Sequence, residues 1–436
     1  MSKDAHKLSK IIEKLYIGIL IIIFGGIVLH APISVFLGSV FPDYELLIKS
    51  WKEILMVVAG IIALILMYRN KRFNLLKDPL IVAIICYGAL HIVMIIFLPQ
   101  SLLSTFAGLM IDLRYLLFFI LVYLALKMYP KYYNIFIKIG IAGALVVLIF
   151  ALLQVFVLPN DILKYIGYDV STISPYLTVD QNQSYVRINS TLRGPNPLGA
   201  YAGIVLAFLV SAAVKHKVGN KKQAWAIFGV LLIGGCVALW ASYSRSALIG
   251  TIASLVIVLA IALARKISKK TWIIIGTVIL MLSCGLWMIK DTAFVSNVVF
   301  HTNPTDNNRI DSNEGHMSSL KNGFKLLISQ PFGVGVGSTG SASLYGNSPM
   351  GVENQYLFTA HETGWLGLGL FVYIFGYILY KLWLEKKDWV ALGLFASGIG
   401  LAIIGCFLPV LTDDTVSIIW WGMAAIALAY SHKDYN

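Results

Sequence analysis

Apolar stretches long enough to cross a membrane recur along the whole chain. A helix of about 20 residues spans the hydrocarbon core of a bilayer and satisfies its own backbone hydrogen bonds there. The pattern therefore predicts an all-α integral membrane protein with about twelve membrane spans. The predicted spans are residues 15–37, 51–68, 80–98, 106–126, 134–158, 195–214, 224–243, 246–264, 272–289, 354–380, 389–409 and 416–431.

Lysines and arginines are concentrated in alternate connections between these spans. Cytoplasmic connections of membrane proteins are enriched in both residues. With the N-terminus in the cytoplasm, 23 of the 34 lysines and arginines fall in cytoplasmic segments. An even number of spans then returns the C-terminus to the cytoplasm. We predict a multi-pass protein of the plasma (inner) membrane, with residues 1–436 forming a single polytopic domain.

Composition narrows the choice of partners. The chain is 58% hydrophobic and only 13% charged, with a net charge of +13. Cytoplasmic loops account for the positive charge, so nucleic acid is not an expected partner. The four cysteines lie inside apolar segments and form no Cys-x-x-Cys pair. Neither a zinc site nor a disulfide framework is expected, and we predict no cofactor.

Two connections on the predicted outer side are long, at residues 159–194 and 290–353. Loops of this length usually carry function or are disordered. The second contains a short segment, 314–329, whose helical spacing predicts an amphipathic helix at the membrane surface. Its apolar positions are Met317, Leu320, Phe324, Leu327 and Ile328. The following residues 332–343 are rich in glycine and predict a flexible or tightly turned loop.

Arginines stand at the edges of two predicted spans. Arg187 and Arg193 precede Pro195 and Asn196, which suit a helix N-terminus with Asn196 as its cap. The free N–H groups of such an end favour an anion. Arg245 lies in a turn only a few residues wide, and a charge so near the hydrocarbon is usually paired or functional. The alternatives are headgroup contacts or a structural salt bridge.

Further ionisable residues lie at or inside apolar segments. Glu353, Leu357 and His361 fall four residues apart, which predicts that they share one helix face. Glu362 lies more than one turn inside the predicted span, where it is expected to be functional or to lock the helix. His361 also fits a simple packing role. Asp112 and Arg114 are interpreted as an intramembrane salt bridge.

Several short motifs occur in order along these regions. They are Arg187 eight residues before Pro195-Asn196, Ser244-Arg245-Ser246, Pro331-x-Gly333-x-Gly335, Glu353-Asn354-x-x-Leu357 and Glu362-x-Gly364-x-x-Gly367. Together they resemble the O-antigen ligase and polymerase superfamily, over roughly residues 185–371. The departure is Glu353, which stands where the ligases have histidine and which favours the polymerase side. His316 aligns with a further loop arginine of many members.

The resemblance implies glycosyl transfer from an undecaprenyl-diphosphate-linked oligosaccharide on the outer face of the membrane. Arg187 and Arg245 would bind the diphosphate with Arg193 as a helper, because guanidinium binds phosphate oxygens in pairs. Glu353 is the first candidate for the base, and His316 is the second. The candidate substrate-binding residues are Arg193, Asn196, Asn354, Glu362 and His361, and no metal is expected.

Three alternatives remain open at this point. A ligase would move the glycan to a different acceptor. A transporter or flippase of lipid-linked oligosaccharide also suits twelve spans, although the long loops lie outside and no half-repeat is evident. A non-catalytic assembly protein is the third alternative. The lipid bilayer is a partner in every case, and other polysaccharide assembly proteins are further candidate partners.

Overall fold

The structure, a computed structural model, describes residues 3–179, 182–219, 221–263 and 312–430. These residues are mostly helical, and short 3-10 turns join several of the helices. The α-helices are α1 (Lys3–Gly26), α2 (His30–Val40), α3 (Glu45–Lys49), α4 (Trp51–Arg69), α5 (Pro79–Phe97), α6 (Leu102–Met128), α7 (Tyr133–Phe156), α8 (Pro195–Val214), α9 (Lys222–Ala241), α10 (Arg245–Leu263), α11 (Ser312–Ser329), α12 (Gly340–Ser343), α13 (Gln355–Leu384), α14 (Trp389–Gly405) and α15 (Asp414–Ala429).

The helices confirm a multi-span membrane protein. Nine helical stretches of the described residues are long and apolar enough to cross a membrane. The shorter apolar helices α14 and α15 coincide with two further predicted spans. The predicted span 272–289 lies outside the described residues. The count of twelve and the cytoplasmic position of both termini stay predictions.

The short helix α15 lies at the centre of the bundle. Its Trp420 and Trp421 are fully buried. The Trp421 ring lies 5.0 Å from Tyr115 of α6, and the Trp420 ring lies 5.1 Å from Phe375 of α13. Aromatic side chains bury a large area, so these contacts join α6, α13 and α15 into one core.

Helices α8, α10 and α14 approach one another through small residues. A Cβ atom on Gly250 of α10 would lie 2.6 Å from the carbonyl oxygen of Gly400 on α14. A Cβ atom on Gly203 of α8 would collide with Thr251 of α10. Small residues let helix backbones come close where burial alone provides little driving force. This packing fixes the starts of α8 and α10 beside the end of α14.

One connection departs from the helical pattern. Within the predicted loop 159–194, β1 (Leu177–Val179) and β2 (Asn182–Arg187) form an antiparallel pair. Leu177 lies opposite Arg187 in this hairpin. Both strands contain β-branched or aromatic residues, which favour extended backbone on a half-buried surface. Arg187, the last residue of β2, therefore lies at the edge of the helical bundle.

Candidate active site

Arg187 is joined directly to the end of α9. The Ile188 N–H donates to the Ala241 carbonyl at 3.2 Å, which continues the extended strand onto the helix end. Arg187 Nε donates to the Ser242 carbonyl at 2.8 Å, and its Nη2 donates to Asn196 Oδ1 at 2.6 Å. Two protein acceptors therefore orient the guanidinium plane of Arg187. One of them, Ser242, lies three residues before Arg245 in the turn between α9 and α10.

The turn between α9 and α10 is as tight as the sequence predicts. Helix α9 ends at Ala241 and α10 begins at Arg245. Gly199 of α8 fits against it, since a Cβ atom there would lie 2.7 Å from Ser242 Oγ. Tyr243 has a φ of +46°, a left-handed conformation that is strained for a bulky residue. Burial raises the pKa of the Tyr243 phenol, and nearby Tyr185 adds to the shift.

Asn196 does not cap α8, so that prediction was wrong. The N-cap is Gly194, and Pro195 is the first helical residue. Proline at this position has no N–H to satisfy, which shifts the helix start one residue upstream of Asn196. The Asn196 side chain points instead to Arg187, and its Oδ1 accepts a hydrogen bond from Arg187 Nη2. Its place beside the guanidinium keeps it a candidate substrate-binding residue.

Ser190 anchors the segment before α8 to α7. Its hydroxyl donates to the Val147 carbonyl at 2.6 Å, and its N–H donates to Gln154 Oε1 at 2.7 Å. Ser190 is fully buried and has a φ of +50°. Strained backbone persists only where the surroundings hold it. The end of the connection 159–194 is therefore a fixed part of the bundle.

Arg193 is exposed and reaches toward two other parts of the chain. Its Nη2 donates to Ser341 Oγ at 3.1 Å. Burial raises the pKa of Asp413 at the start of α15, the charge of Asp414 adds to the rise, and the Arg193 charge opposes it. Arg193 thus links the connection before α8 to residues from the last third of the chain.

Glu353 lies outside the helix that carries Leu357 and His361. Helix α13 begins at Gln355, and Asn354 caps it by accepting from the N–H groups of Tyr356 and Leu357. Asn354 Nδ2 also donates to the Cys406 carbonyl at 2.8 Å, at the end of α14. Glu353 precedes the cap and is exposed. The predicted shared helix face was therefore wrong, because the helix begins only after the Asn354 cap and Glu353 precedes it.

Helix α13 is broken at Gly364, and a second segment fills the break. Gly364 has a φ of +67° and a ψ of −169° inside the helix. The N–H groups of Val334 and Gly335 donate to the carbonyls of His361 and Glu362, at 2.7 and 3.1 Å. The Trp365 N–H donates to the Pro331 carbonyl at 2.9 Å. Backbone groups released by the break thus find partners in residues 331–346, which we call the glycine-rich segment.

Glycine is required where this segment meets its neighbours. Gly333, Gly335 and Gly337 all have positive φ. A Cβ atom on Gly335 would collide with the Leu98 carbonyl, and one on Gly337 would collide with the Ser104 carbonyl. Only glycine combines this backbone conformation with such close approach. Of the two predicted forms of this loop, the tightly turned one is confirmed.

Helix α11 confirms the predicted helical segment, and it lies alongside the start of α13. A Cβ atom on Gly323 would lie 2.7 Å from Leu357 Cδ1, and Trp365 Nε1 donates to the Leu327 carbonyl at 2.7 Å. The Glu353 N–H donates to Ser319 Oγ at 3.4 Å. His316 belongs to this helix, but its side chain lies outside the described residues.

The candidate residues therefore gather at one end of the bundle. The starts of α8, α10, α13 and α15 meet the ends of α9 and α14 there. Among the residues that the structure describes, no group of three or more His, Cys, Asp and Glu side chains is arranged to hold a metal ion. Arg187, Arg193 and Arg245 bring positive charge to this end.

Residues 227–372 match the family model described as O-Antigen ligase. This confirms the similarity to the O-antigen ligase and polymerase superfamily. No curated protein matches the chain. The matched region contains Arg245, Glu353 and Glu362, whereas Arg187 and Arg193 precede it. The match supports a multi-pass membrane protein of O-antigen ligase- or polymerase-type polysaccharide assembly. Such a family implies glycosyltransferase-like activity on a lipid-linked glycan.

His361 and Glu362 are buried at the break in α13. His361 is 8% exposed, and its Nδ1 has no hydrogen-bond partner among the described residues. Glu362 is 1% exposed, and its Oε1 accepts from the Thr339 N–H at 3.2 Å. The Glu362 carboxylate thus lies against the glycine-rich segment. Both residues stay predicted substrate-binding residues.

Sequence reasoning missed a buried group of charges near this end, which we call the ion-pair network. Its members are His30, Lys52, Glu53, Arg114 and Asp414. Arg114 pairs with Asp414 and lies 3.7 Å from Glu53 Oε1, so its predicted pairing with Asp112 was wrong. Residues two apart on a helix point in nearly opposite directions. Charged residues at the starts of two apolar helices were the available signal.

Proposed function

We propose that this protein is a polysaccharide polymerase of the membrane glycosyltransferase type. It transfers a growing glycan from undecaprenyl diphosphate to the hydroxyl of an acceptor sugar, on the outer face of the plasma membrane. The enzyme is a GT-C-like membrane glycosyltransferase, and its reaction needs neither a metal ion nor another cofactor. Residues 1–436 act as one polytopic domain in this proposal.

The observation that carries the proposal is the bond from Arg187 Nε to the Ser242 carbonyl. It joins the arginine before α8 to the turn that presents Arg245, although the two residues are far apart in sequence. A pair of guanidinium groups at the end of a helical bundle suits a diphosphate, because each can bind two phosphate oxygens. The start of α8 adds helix N–H groups that favour an anion.

Catalysis in this proposal depends on stabilising the leaving group. The bond between the anomeric carbon and the phosphate oxygen breaks, and the electron pair leaves with the lipid diphosphate. Arg187 and Arg245 stabilise the charge that develops there, and Arg193 assists from the side of Ser341. Fixed positive groups in a partly dry site are effective because they need no reorganisation during the reaction.

The acceptor hydroxyl must lose its proton as the new glycosidic bond forms. Glu353 is the first candidate for the base that receives it, and its exposure leaves it accessible to an incoming sugar. A positioned base contributes roughly 10²–10⁴-fold to the rate. His316 is the second candidate. Asn196, Asn354, His361 and Glu362 are the proposed substrate-binding residues around this centre.

The carboxylate at position 353 favours a polymerase over a ligase. The ligases of the superfamily have histidine at this place in the motif, and this chain departs from them there. A polymerase donates to the end of another lipid-linked glycan, so donor and acceptor are both present at the membrane. Other polysaccharide assembly proteins would supply the repeat units and receive the product.

The test uses the purified full-length protein in liposomes that contain a lipid-linked oligosaccharide donor. We expect longer lipid-linked glycans to appear without ATP and in excess EDTA. Transfer of glycan to a different acceptor would replace the polymerase by a ligase. Movement of the donor across the bilayer without new glycosidic bonds would overturn the proposal in favour of a transporter. A requirement for Mg²⁺ or Mn²⁺ would contradict the metal-free mechanism.

The first substitution tests the role of Arg245 in diphosphate binding. Arg245→Lys keeps the charge but loses the planar fork, so we expect most activity to be lost at normal membrane abundance. Arg72→Lys is the matched control, because Arg72 is an exposed arginine between α4 and α5. Near-normal product from Arg245→Lys would remove the bidentate role.

Glu353→Gln keeps size and hydrogen bonding but cannot accept a proton. We expect turnover to fall roughly 10²–10⁴-fold while donor affinity changes little. Glu45→Gln, at another exposed carboxylate, is the control. Unchanged turnover would eliminate Glu353 as the base and transfer that role to His316.

A further inference from the structure

Three buried ionisable side chains from different helices meet beside the glycine-rich segment. His91 of α5, Asp112 of α6 and Glu362 of α13 are 0%, 4% and 1% exposed. His91 Nε2 lies 3.5 Å from Asp112 Oδ2. The carboxyls of Asp112 and Glu362 lie within hydrogen-bonding reach of each other. We call these three residues the carboxyl cluster.

Two buried atoms of the cluster, His91 Nε2 and Glu362 Oε2, have no hydrogen-bond partner among the described residues. Glu362 Oε1 accepts from the Thr339 N–H, but the buried Glu362 Oε2 has no donor among the described residues. An ionised carboxylate only accepts hydrogen bonds, so two carboxylates cannot bond to each other. Two like charges so close in a medium of low dielectric also disfavour joint ionisation. A proton between the two carboxyls supplies the donor that Glu362 Oε2 lacks and removes one charge.

The groups that face the pair are consistent with a single remaining negative charge. His91 Nδ1 lies 2.9 Å from the Tyr87 carbonyl, which can only accept, so Nδ1 carries a hydrogen. The other ring nitrogen, Nε2, lies beside Asp112 but has no hydrogen-bond partner among the described residues, so it supplies no donor to the pair. The phenols of Tyr87 and Tyr115 also face the pair and are not cations.

We propose that Asp112 and Glu362 share one proton, and that this pair is a positioning device for the glycine-rich segment. Through Glu362 the pair holds the Thr339 N–H. Two residues further along, Ser341 Oγ accepts from Arg193 Nη2 at 3.1 Å. The shared proton therefore keeps in place the part of the segment that contacts a candidate substrate-binding arginine. Asp112 and His91 act through the segment and touch no substrate.

The proton itself is tested by infrared spectroscopy of the purified protein. We expect the carbonyl stretch of a protonated carboxylic acid at neutral pH, with a shift on transfer to D₂O. Asp112→Asn and Glu362→Gln should each remove this band, because an amide then donates permanently to the remaining carboxylate. Glu45→Gln should keep it, since Glu45 is exposed. A band whose intensity neither substitution lowers, or that is absent from the unaltered protein, overturns the shared proton.

The positioning role is tested by cysteine labelling in a background without the four native cysteines. Ser338 is buried and its hydroxyl has no hydrogen-bond partner among the described residues, so Ser338→Cys is a mild change. Ser348 is exposed and close by, so Ser348→Cys reports the intrinsic labelling rate. We expect an impermeant maleimide to label Ser338→Cys slowly and Ser348→Cys rapidly.

Two substitutions of Glu362 should then have different effects on the labelling of Ser338→Cys. Glu362→Gln keeps an acceptor for Thr339 and a donor for Asp112, so Ser338→Cys should stay protected. Glu362→Ala loses both, and Ser338→Cys should approach the labelling rate of Ser348→Cys. Continued protection with Glu362→Ala would overturn the positioning role. These readouts need no glycosyl transfer, so their failure is distinct from failure of the proposed function.

Activity adds one further check. Asp112→Asn should retain most of the activity of the unaltered protein, because the amide replaces the shared proton. Asp112→Leu has similar size but no hydrogen-bonding group, so it should raise KM for the donor more than it lowers kcat. Loss of activity in Asp112→Asn at normal labelling would show that Asp112 acts as a charge, which contradicts the proposal.

Discussion

The ion-pair network and the carboxyl cluster both bury charged side chains, but they balance their charge in different ways. In the network, Lys52 and Arg114 face Glu53 and Asp414, two cations against two carboxylates. In the cluster, Asp112 and Glu362 face each other with His91 beside them. The first group is neutral through opposite charges, and the second approaches neutrality through a shared proton.

This difference determines which substitutions each group tolerates. Removal of one member of a buried ion pair leaves an uncompensated charge in a medium of low dielectric, which is strongly destabilising. An acid that shares a proton can be replaced by its amide, because the amide supplies the same hydrogen. The two groups share helix α6, where Asp112 and Arg114 point to different neighbours. Their comparison therefore tests charge balance within one short stretch of helix.

The largest effect is expected from Arg114→Ala. Its guanidinium pairs with Asp414 and Glu53 and donates to the Thr412 carbonyl at 2.7 Å. Its removal should lower the free energy of unfolding by about 3–5 kcal/mol. Thermal unfolding in detergent and abundance in the membrane both measure this. Arg72→Ala, at an exposed site, is the control. Equal stability of the two variants would mean that the network contributes little.

The same chemical change in both groups sharpens the comparison. Asp414→Asn removes a charge that faces Arg114, Lys52 and His30, and should cost about 2–3 kcal/mol of stability. Asp112→Asn keeps the hydrogen of the shared pair and should cost less than about 1 kcal/mol. Paired thermal unfolding curves decide between them. The reverse order would show that Asp112 is the residue that balances a full charge.

Gly337→Ala should disturb the carboxyl cluster by displacing the glycine-rich segment that contacts it. Gly337 has a φ of +84°, and a Cβ atom there would collide with the Ser104 carbonyl of α6. We expect a loss of about 1–3 kcal/mol, with release of the Thr339 N–H from Glu362. Thermal unfolding and labelling of Ser338→Cys measure both effects. Gly351→Ala is the control, because nothing lies near its Cβ position.

Much of the helical framework could be predicted from hydropathy, because each span is a local property of some twenty residues. Eleven of the predicted spans coincide with helices, and the tight turn before Arg245 was also predicted. The break at Gly364 could not be predicted in the same way. A single glycine is tolerated within a helix, and only the pairing with residues 331–335 shows that the backbone turns there.

The two buried charge groups could not be predicted because their members are distant in sequence. Glu53, Arg114 and Asp414 lie on three helices that hydropathy alone does not place side by side. The pairing of Asp112 with Arg114 was an error of direction, which helical geometry could have excluded. The placement of Arg187 beside the turn of Arg245 is likewise a tertiary feature. The order of the motifs suggested that the two arginines lie near each other, but only the structure shows the hydrogen bond from Arg187 to Ser242.

The smallest stability effect is expected at Tyr243, next to Arg245. Its left-handed backbone costs about 1–2 kcal/mol for a residue other than glycine. Tyr243→Gly removes this strain, but it adds about 0.5–1 kcal/mol of chain entropy. It also loses an edge-to-face contact with Tyr185 and a tilted contact with Trp240, whose ring centroids each lie 6.2 Å away. Each contact of this type contributes about 0.5–1.5 kcal/mol. The losses slightly exceed the relief of strain, so the unfolding temperature should fall only a little.

The small net effect makes this position a sensitive probe of the turn, in contrast to the large change expected at Arg114 of the ion-pair network. Tyr243→Phe keeps the ring and the strain and should match the unaltered protein in stability. If Tyr243→Gly has normal stability but less glycan product than Tyr243→Phe, the ring contributes to the site beyond holding the turn. If Tyr243→Gly is strongly destabilised, the ring contacts outweigh the strain. Unfolding curves and glycan product from both variants, measured together, distinguish these two accounts of Tyr243.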